Sequence, residues 1–176
     1  RTLLPNEIKD LANYYYIQQG TILNTTYKYI IFKYNEYTIN FTEDTECDIL
    51  LVGGGGAGGS DNAGGGGSGG LVFLQNIILN GSYLIKIGNG GKSNGDGYPG
   101  DNGTDSSIEL ITNDISSINE GENKFIAKGG GGGGGGSGGS RESGKDGGSG
   151  GGTAFESHSA SRNIGKTNQN TYIKNS

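Results

Sequence analysis

The segment that decides the fold is residues 47–59, which read CDILLVGGGGAGG. Its first half, ending at Val52, has the length and the apolar content of a β-strand. Its second half, from Gly53 onward, is glycine except for Ala57. Because no turn or helix signal separates the two halves, we expect the glycine run to start directly at the end of a β-sheet.

Glycine is concentrated in three tracts. All but four of the 39 glycines among the 176 residues lie in the tracts 53–70, 88–103 and 129–152. Short segments rich in isoleucine, leucine, phenylalanine and tyrosine lie between and before the tracts. They predict seven strands, at 27–33, 36–42, 47–52, 71–75, 83–87, 107–111 and 124–127. Short strands separated by turn residues predict an all-β fold, an antiparallel jelly-roll-like sandwich.

Three local features complete the prediction of secondary structure. Tyr34 and Asn35 predict a tight hairpin turn between the first two strands, and Asn80 with Gly81 predicts another turn. Residues 6–18 fit a short helix with Asn6 as its N-cap, but 14–17 fit a strand equally well.

The glycine tracts have two alternative interpretations. Runs of glycine and serine are typical of flexible linkers. The alternative is polyglycine II, in which extended left-handed helices with three residues per turn pack side by side. Such helices satisfy none of their own backbone groups, which must therefore pair with neighbouring helices.

Segment lengths favour the ordered alternative. At about 3.1 Å per residue, residues 129–139 extend about 34 Å, close to the roughly 40 Å width of a compact domain of this size. Polar turns at 140–143 and 145–146 would then let 147–152 return. We therefore predict a polyglycine II helix bundle inserted into the sandwich, with 53–59 and 64–70 joined by a turn at 60–63.

Composition excludes several classes of partner. With 13 basic and 18 acidic residues, a net charge of −5 and no basic stripe, no nucleic-acid partner is expected. No apolar run approaches the roughly 18 residues that cross a bilayer, so no membrane insertion is expected.

The single cysteine, Cys47, has no disulfide partner within the chain. Because the first residue is Arg1 rather than methionine, we expect a processed or partial product.

No catalytic or cofactor-binding site is predicted. Residues 53–58 satisfy a G-x-G-x-x-G pattern after a strand, but the glycine-rich residues that follow cannot form the helix that a dinucleotide site needs. Cys47 and His158 are each the only residue of their kind. We expect Cys47 to be a small buried hydrophobe and His158 a solvated loop residue. The protein is therefore expected not to be an enzyme and to hold no cofactor.

Four oxygen-bearing side chains cluster within residues 95–105. Carboxylates in a glycine-rich loop can hold calcium, but the nonapeptide repeat of calcium-binding β-rolls is missing and Asp-Gly and Asn-Gly are ordinary turn formers. We therefore expect turns here and no metal site. The four residues are Asp96, Asp101, Asn102 and Asp105.

Four sequons for N-linked glycosylation occur, about as many as chance gives for this composition. In a secretory pathway, Asn80 and Asn102 are the preferred acceptors because both are predicted to lie in turns. The four candidate glycosylation sites are Asn24, Asn40, Asn80 and Asn102.

The order of segments resembles a known family. A strand and hairpin followed by EYTINF at 36–41 and CDILLVGGGG at 47–56 resemble the glycine-rich domains of phage tail-fibre and giant-virus surface-fibre proteins. The later stretches GGGGSGG at 64–70 and YLIKIGNGG at 83–91 fit the same order. The alternation is also similar to the glycine-rich ectodomain of the anaplastic lymphoma kinase receptor. The resemblance covers about residues 27–152.

The resemblance implies structural or adhesive work on an extracellular or virion surface. We expect an N-terminal arm or stalk at 1–26, a glycine-rich β-sandwich domain at 27–152 and a polar C-terminal segment at 153–176. The first hypothesis is a structural fibre subunit that forms a homo-oligomer or filament through β-edges and glycine-tract packing, with the arm adding to a neighbour's sheet.

The alternative hypothesis is a monomeric or trimeric adhesin used in host attachment. In that case the polar turns at 60–63, 92–105 and 140–146 would contact a receptor or a glycan.

Overall fold

The computed structural model describes residues 15–22, 25–33, 36–112, 119–136, 143–155 and 163–170. Within this part of the chain the fold is all-β, as predicted, and contains no helix. The six strands are β1 (Tyr15–Ile22), β2 (Thr25–Phe32), β3 (Glu36–Val52), β4 (Leu71–Lys86), β5 (Ser106–Leu110) and β6 (Lys124–Ala127). β1 pairs with β2, and the other four strands form an antiparallel sheet in the order β3-β4-β5-β6.

Two predictions concern the N-terminal side of the fold. Residues 15–18 lie in β1, so the strand alternative holds for 15–17 and the helix is wrong there, while 6–14 lie outside the described residues. Residues 34–35 of the predicted hairpin also lie outside the described residues, and the strands on either side of them, β2 and β3, belong to different sheets. The ring of Phe32 packs on that of Tyr37, with centroids 5.0 Å apart. The chain therefore crosses from one sheet to the other between these residues.

β3 and β4 are each one long strand where the sequence predicts two. The predicted turn at Asn80 and Gly81 is wrong, since Gly81 has a φ of 94° and pairs with Phe41 inside a continuing ladder. Asn76 also has a positive φ, 53°, and its amide donates to Asp48 Oδ1 at 3.0 Å. Both residues lie beside register shifts, so the positive-φ positions make bulges that bend the strands.

The apolar core lies on one face of the larger sheet. Side chains alternate along β3, where Tyr37, Ile39 and Phe41 are buried and the residues between them are exposed. Ile30 and Phe32 of β2 pack against this core. Its buried members are Tyr37, Ile39, Phe41, Leu51, Val72, Leu74, Leu79, Tyr83, Ile85, Ile108, Phe125 and Ala127.

The ribbon formed by β3 and β4 folds back on itself. A straight strand of 17 residues would be about 55 Å long, which would separate Val52 from Glu36 and its partner Lys86. Instead the Val52 carbonyl oxygen accepts a 2.7 Å hydrogen bond from Ser106 Oγ, and the neighbouring Ser107 pairs with Lys86. The two ends of the ribbon therefore meet.

Because the ends of the ribbon meet, the glycine segments start and finish at the same end of the sheet. The amide of Gly53 donates to the carbonyl of Gly70 at 2.9 Å, and the amide of Gly70 donates to that of Lys128 at 2.6 Å. The amide of Gly54 donates to Thr104 at 3.0 Å. The glycine segments consequently extend from this end as one body, which we call the glycine array.

Candidate functional site

The segments of the glycine array are bonded to one another through their backbones. Residues 53–60 and 64–70 run antiparallel, with bonds from Gly53 to Gly70, from Gly56 to Gly67 and from Gly59 to Gly64. The donors recur at every third residue. The amides one residue further along, at 54, 57 and 60, donate instead to carbonyls at 104, 101 and 98. Each segment thus bonds to different neighbours on different sides, which supports the ordered interpretation of the tracts over the linker.

Residues 128–136 form the central segment of the array. Positions 129–135 are buried. Every amide from 129 to 134 donates a hydrogen bond, and every carbonyl oxygen from 128 to 134 accepts one. A buried backbone group without a partner is costly, and here the whole stretch is satisfied. The partners come from the segments 53–60, 64–70, 98–105, 143–148 and 149–152.

Two of these partners are side chains. Asn102 Oδ1 accepts from the amide of Gly132, and Asp105 Oδ1 accepts from that of Gly129, both at 2.8 Å. The two side chains are spaced by three residues, as are the amides that they bind. Asp105 also pairs with Lys128 Nζ at 2.9 Å. These side chains therefore take the place of carbonyl oxygens along one side of the central segment.

The other acidic residues of the predicted turn region bind elsewhere. Asp101 Oδ1 accepts from Asn94 Nδ2 at 3.0 Å and lies 3.8 Å from Lys145 Nζ. Among the described residues, no three His, Cys, Asp or Glu side chains are grouped so that they could hold a metal ion. The prediction that 92–105 is a turn is wrong for 98–105, which belongs to the array.

Contact distances explain why the interior is glycine. A Cβ built at Gly131, Gly132 or Gly133 would overlap the carbonyl oxygen of Lys145, Gly100 or Gly64, respectively. Outward-facing positions differ, since a Cβ at Gly65 would have no heavy atom within 4 Å. Inside the array, glycine is thus required where two backbones touch.

The chain returns from the central segment in two short passes. Lys145 and Gly148 donate to Gly132 and Gly129, so this pass is antiparallel to the central segment. The chain then reverses, and 149–152 runs alongside 131–134 in the parallel direction. The predicted polar turn at 145–146 and the single return at 147–152 are therefore wrong, while 140–142 lie outside the described residues.

The segment 163–170 adds a contact that sequence reasoning missed. Its amides at 165 and 168 donate to the carbonyls of Gly151 and Gly147. The Gln169 side chain accepts from the Lys128 amide at 2.8 Å and donates to the Ile126 carbonyl at 3.0 Å. No sequence signal marks Gln169. The Asn102 and Asp105 contacts do have one, because Gly97, Gly100 and Gly103 recur at every third position around them.

The turns furthest from the sheet meet at one end, which we call the tip: residues 60–63, 94–98, 136 and 153–155. Ser60 joins three of these pieces. Its amide donates to Tyr98 at 3.1 Å, its carbonyl accepts from Gly136 at 2.9 Å and its Oγ accepts from the Gly97 amide at 2.7 Å. Two aromatic side chains, Tyr98 and Phe155, are exposed here.

The tip also holds three of the four described non-glycine residues with positive φ. They are Asp61, Asn62 and Asp96, with φ values of 61°, 49° and 40°. The carbonyl of Asn62 accepts from the amide of Phe155 at 2.8 Å. The tip is therefore a set of turns held together by the array and carrying polar and aromatic side chains.

The remaining predicted residues are dispersed. Cys47 is half-buried, and burial raises the pKa of its thiol; its Sγ donates to the Thr45 carbonyl at 3.7 Å. His158 lies outside the described residues. The amides of Gly53, Gly54 and Gly56 donate to backbone carbonyls, so they are not directed toward a phosphate.

The candidate glycosylation sites occupy different settings. Asn40 and Asn80 lie on exposed positions of β3 and β4, where Asn80 Nδ2 donates to Asp44 at 2.6 Å rather than lying in a turn. Asn102 is committed to the array, since its Nδ2 donates to the Asp146 carbonyl at 3.1 Å. Asn24 lies outside the described residues.

The described residues include no helix that is long and apolar enough to cross a membrane.

Comparison with known proteins identifies the domain family. No curated protein matches the chain, and neither does any solved structure. The sequence matches the model of the glycine-rich domain over residues 33–174, which includes both the larger sheet and the described parts of the glycine array. The chain therefore belongs to the glycine-rich domain family.

Proposed function

We propose that this chain is a non-enzymatic structural subunit of an extracellular or virion-surface fibre. The observation that carries the proposal is the central segment, in which every backbone group of 129–134 is hydrogen-bonded to a neighbouring segment. Bonds of this kind make a stiff body without a large apolar core. Stiffness is what a fibre module needs, whereas a catalyst needs a group of reactive side chains.

In this proposal the glycine array is a bundle of polyglycine II helices carried by a jelly-roll-like sandwich. The recurrence of bonded amides at every third residue supports it, since that helix has three residues per turn. The five segments that surround the central segment agree with the side-by-side packing of such helices. The ribbon that folds back, with both halves facing one core, supports two sheet layers.

Assembly through sheet edges is part of the proposal. β3 and β6 are the edge strands of the larger sheet, and an edge strand presents backbone groups to another chain. Residues 15–22 of the N-terminal arm pair with β2 of the same chain. Because a strand has two edges and the described sheet pairs only one edge of β1, its other edge is the one that would add to a neighbour's sheet.

Negative-stain electron microscopy of the purified chain tests the fibre proposal. We expect regular filaments or uniform oligomers whose spacing is shortened or lost when β3 is blocked by Thr38→Pro, an exposed edge position. A matched change on the paired strand β4, Ser82→Thr, keeps the ladder and is expected to assemble normally. Discrete monomers at every concentration would contradict self-assembly.

A second function, binding of a receptor or glycan, is favoured by the tip. Separate turns converge there and present Tyr98 and Phe155 beside Asp61 and Asp96, and aromatic faces beside acidic groups suit sugar rings. A glycan array with wild type, Tyr98→Ala and the control Ile111→Ala tests it. Binding that Tyr98→Ala removes and Ile111→Ala keeps supports an adhesin.

A further inference from the structure

The outer face of β3 and β4 next to the array is apolar. Leu50, Val52, Leu71 and Phe73 have exposed fractions of 59%, 54%, 61% and 54%. Leu50 pairs with Phe73 and Val52 pairs with Leu71, and residues directly opposite in a ladder point to the same face. The four side chains therefore form one block on the face away from the core, which we call the outer patch.

The outer patch has the size of apolar patches that often carry function. With more than half of each side chain exposed, the block presents about 400 Å² of apolar surface. Single exposed apolar residues are ordinary, but contiguous patches of about 300–600 Å² are often functional. The inward neighbours Leu51 and Val72 are buried in the core, so the block is not needed to cover that core.

We propose that the outer patch binds the outer patch of a second copy of this chain. This inference rests on the proposed structural function and specifies one contact of the assembly. Two patches together bury about 800 Å², and adjoining surface such as Ile78, which is 53% exposed, brings the total near the roughly 1,000 Å² that is the lower limit for a specific interface. A two-fold contact needs a surface that complements itself, which two apolar cross-strand pairs provide.

Charge also favours a second copy over other occupants. Glu46 and Asp48 are exposed on β3 at the side of the patch away from the array. A two-fold axis that sets the β3 strands of the two copies antiparallel places these carboxylates at opposite ends of the interface. A phosphate-bearing surface would instead face them together with a net charge of −5, which repels it.

Sedimentation velocity of the full chain over a wide concentration range tests this contact. We expect wild type to self-associate and Phe73→Glu to raise the dissociation constant by about tenfold or more, as loss of a central aromatic does. The double variant Leu71→Thr with Phe73→Thr keeps strand-forming residues and should behave alike, with unchanged circular dichroism. Ile164→Glu, at a residue 71% exposed outside the patch, is the control and should associate like wild type.

The outcomes separate the two proposals. Association lost in both patch variants and kept in the control supports the outer patch. Association that neither patch variant changes overturns the patch and leaves fibre assembly through other surfaces standing. A wild type that stays monomeric at every concentration overturns both the patch and the self-assembly in the proposed function.

Discussion

At the residue scale, a Cβ built at Gly132 would overlap the carbonyl oxygen of Gly100, whereas one at Gly65 meets no heavy atom within 4 Å. The two positions share a residue type and a glycine-rich context, and only their surroundings differ. Inside the array the missing side chain lets two backbones approach to bonding distance. At the surface it has no such effect, so individual glycines differ in importance.

Alanine substitution at these two positions is therefore expected to give opposite results. Gly132→Ala should lower the free energy of unfolding by about 3 kcal/mol or more, because the methyl group displaces a bonded backbone. Gly65→Ala should change it by less than about 1 kcal/mol, in the stabilising direction, since alanine restricts the unfolded chain. Urea unfolding followed by tyrosine fluorescence measures both. Equal stability of the two variants would contradict a backbone-packed interior.

Asp105 offers a matched pair of variants for the side-chain acceptors. Asp105→Ala leaves the buried amide of Gly129 without an acceptor, which should cost about 1–3 kcal/mol. Asp105→Asn keeps the acceptor oxygen and loses only the partly exposed ion pair with Lys128, worth less than about 1 kcal/mol. Thermal unfolding should therefore rank wild type, Asn and Ala in that order. If Asp105→Asn lowers the unfolding temperature more than Asp105→Ala does, the lost charge and not the lost acceptor causes the destabilisation.

Cys47 is expected to react slowly with alkylating reagents. Burial, with a further contribution from the Asp48 and Glu46 carboxylates, raises the pKa of its thiol, so less thiolate is present at a given pH. We expect iodoacetamide to modify the folded chain more slowly than the urea-unfolded chain, with the rate still rising above the pH at which a free cysteine levels off. Mass spectrometry over time measures this. Equal rates in the two states would contradict burial.

At the element scale, strand positions follow the sequence closely while strand connections do not. β5 and β6 lie where the apolar runs place them, because short alternating segments have one way to bury their side chains. β3 and β4 are longer than predicted. In β4 the predicted break was Asn80-Gly81, and Asn-Gly is a signal shared by hairpin turns and bulges. Pairing across the whole ribbon, which local sequence cannot report, decides between the two.

Backbone pairing in the array was partly predictable from segment lengths and from glycine at every third position near Gly100. The glycine spacing marks the region of Asn102 and Asp105, but the partners of these two side chains and of Gln169 were not predictable, because each partner lies on a segment distant in sequence. The reversal of the chain after Gly148 was not predictable either, because a glycine run can pack parallel or antiparallel to its neighbour with the same composition. Composition thus predicts that such segments pack, and only tertiary contacts fix their order.

Gln169 tests whether the segment 163–170 holds the base of the array. Gln169→Ala removes the acceptor of the Lys128 amide and should lower the free energy of unfolding by about 1–2 kcal/mol. The adjacent Asn168→Ala keeps the backbone bond from residue 168 to Gly147 and should be near neutral. Hydrogen exchange at Lys128 should accelerate only in the first variant. Acceleration in both would show that the segment is loosened by any change.

At the scale of the whole molecule, we expect the array and the sheet to unfold as one cooperative body. The central segment continues directly from β6, and the Val52 carbonyl at the end of β3 is bonded to Ser106 of β5. Loss of the core should therefore release the array, because its segments are held at their base by the strands. This coupling distinguishes the chain from a domain that carries a flexible linker.

Hydrogen exchange measures that coupling. Amides 129–134 are buried and bonded, so they should exchange only through global unfolding, at the same free energy as core amides such as that of Ile85. Mass spectrometry with peptide resolution over the two regions provides the comparison. Rapid exchange of 129–134 beside a protected β4 would contradict a single body and restore the linker interpretation.

The recurrence of bonded amides at every third residue has a consequence for how such a chain can change in length. If all the neighbouring glycine runs gain three residues each, they can repeat the same bonds in one added layer. Alignment is then set at the base, by the strands and by Asp105, while the added layer pushes the tip outward. Duplication of a few glycine codons would thus change the length of the array in discrete steps and leave the contacts at its base unchanged.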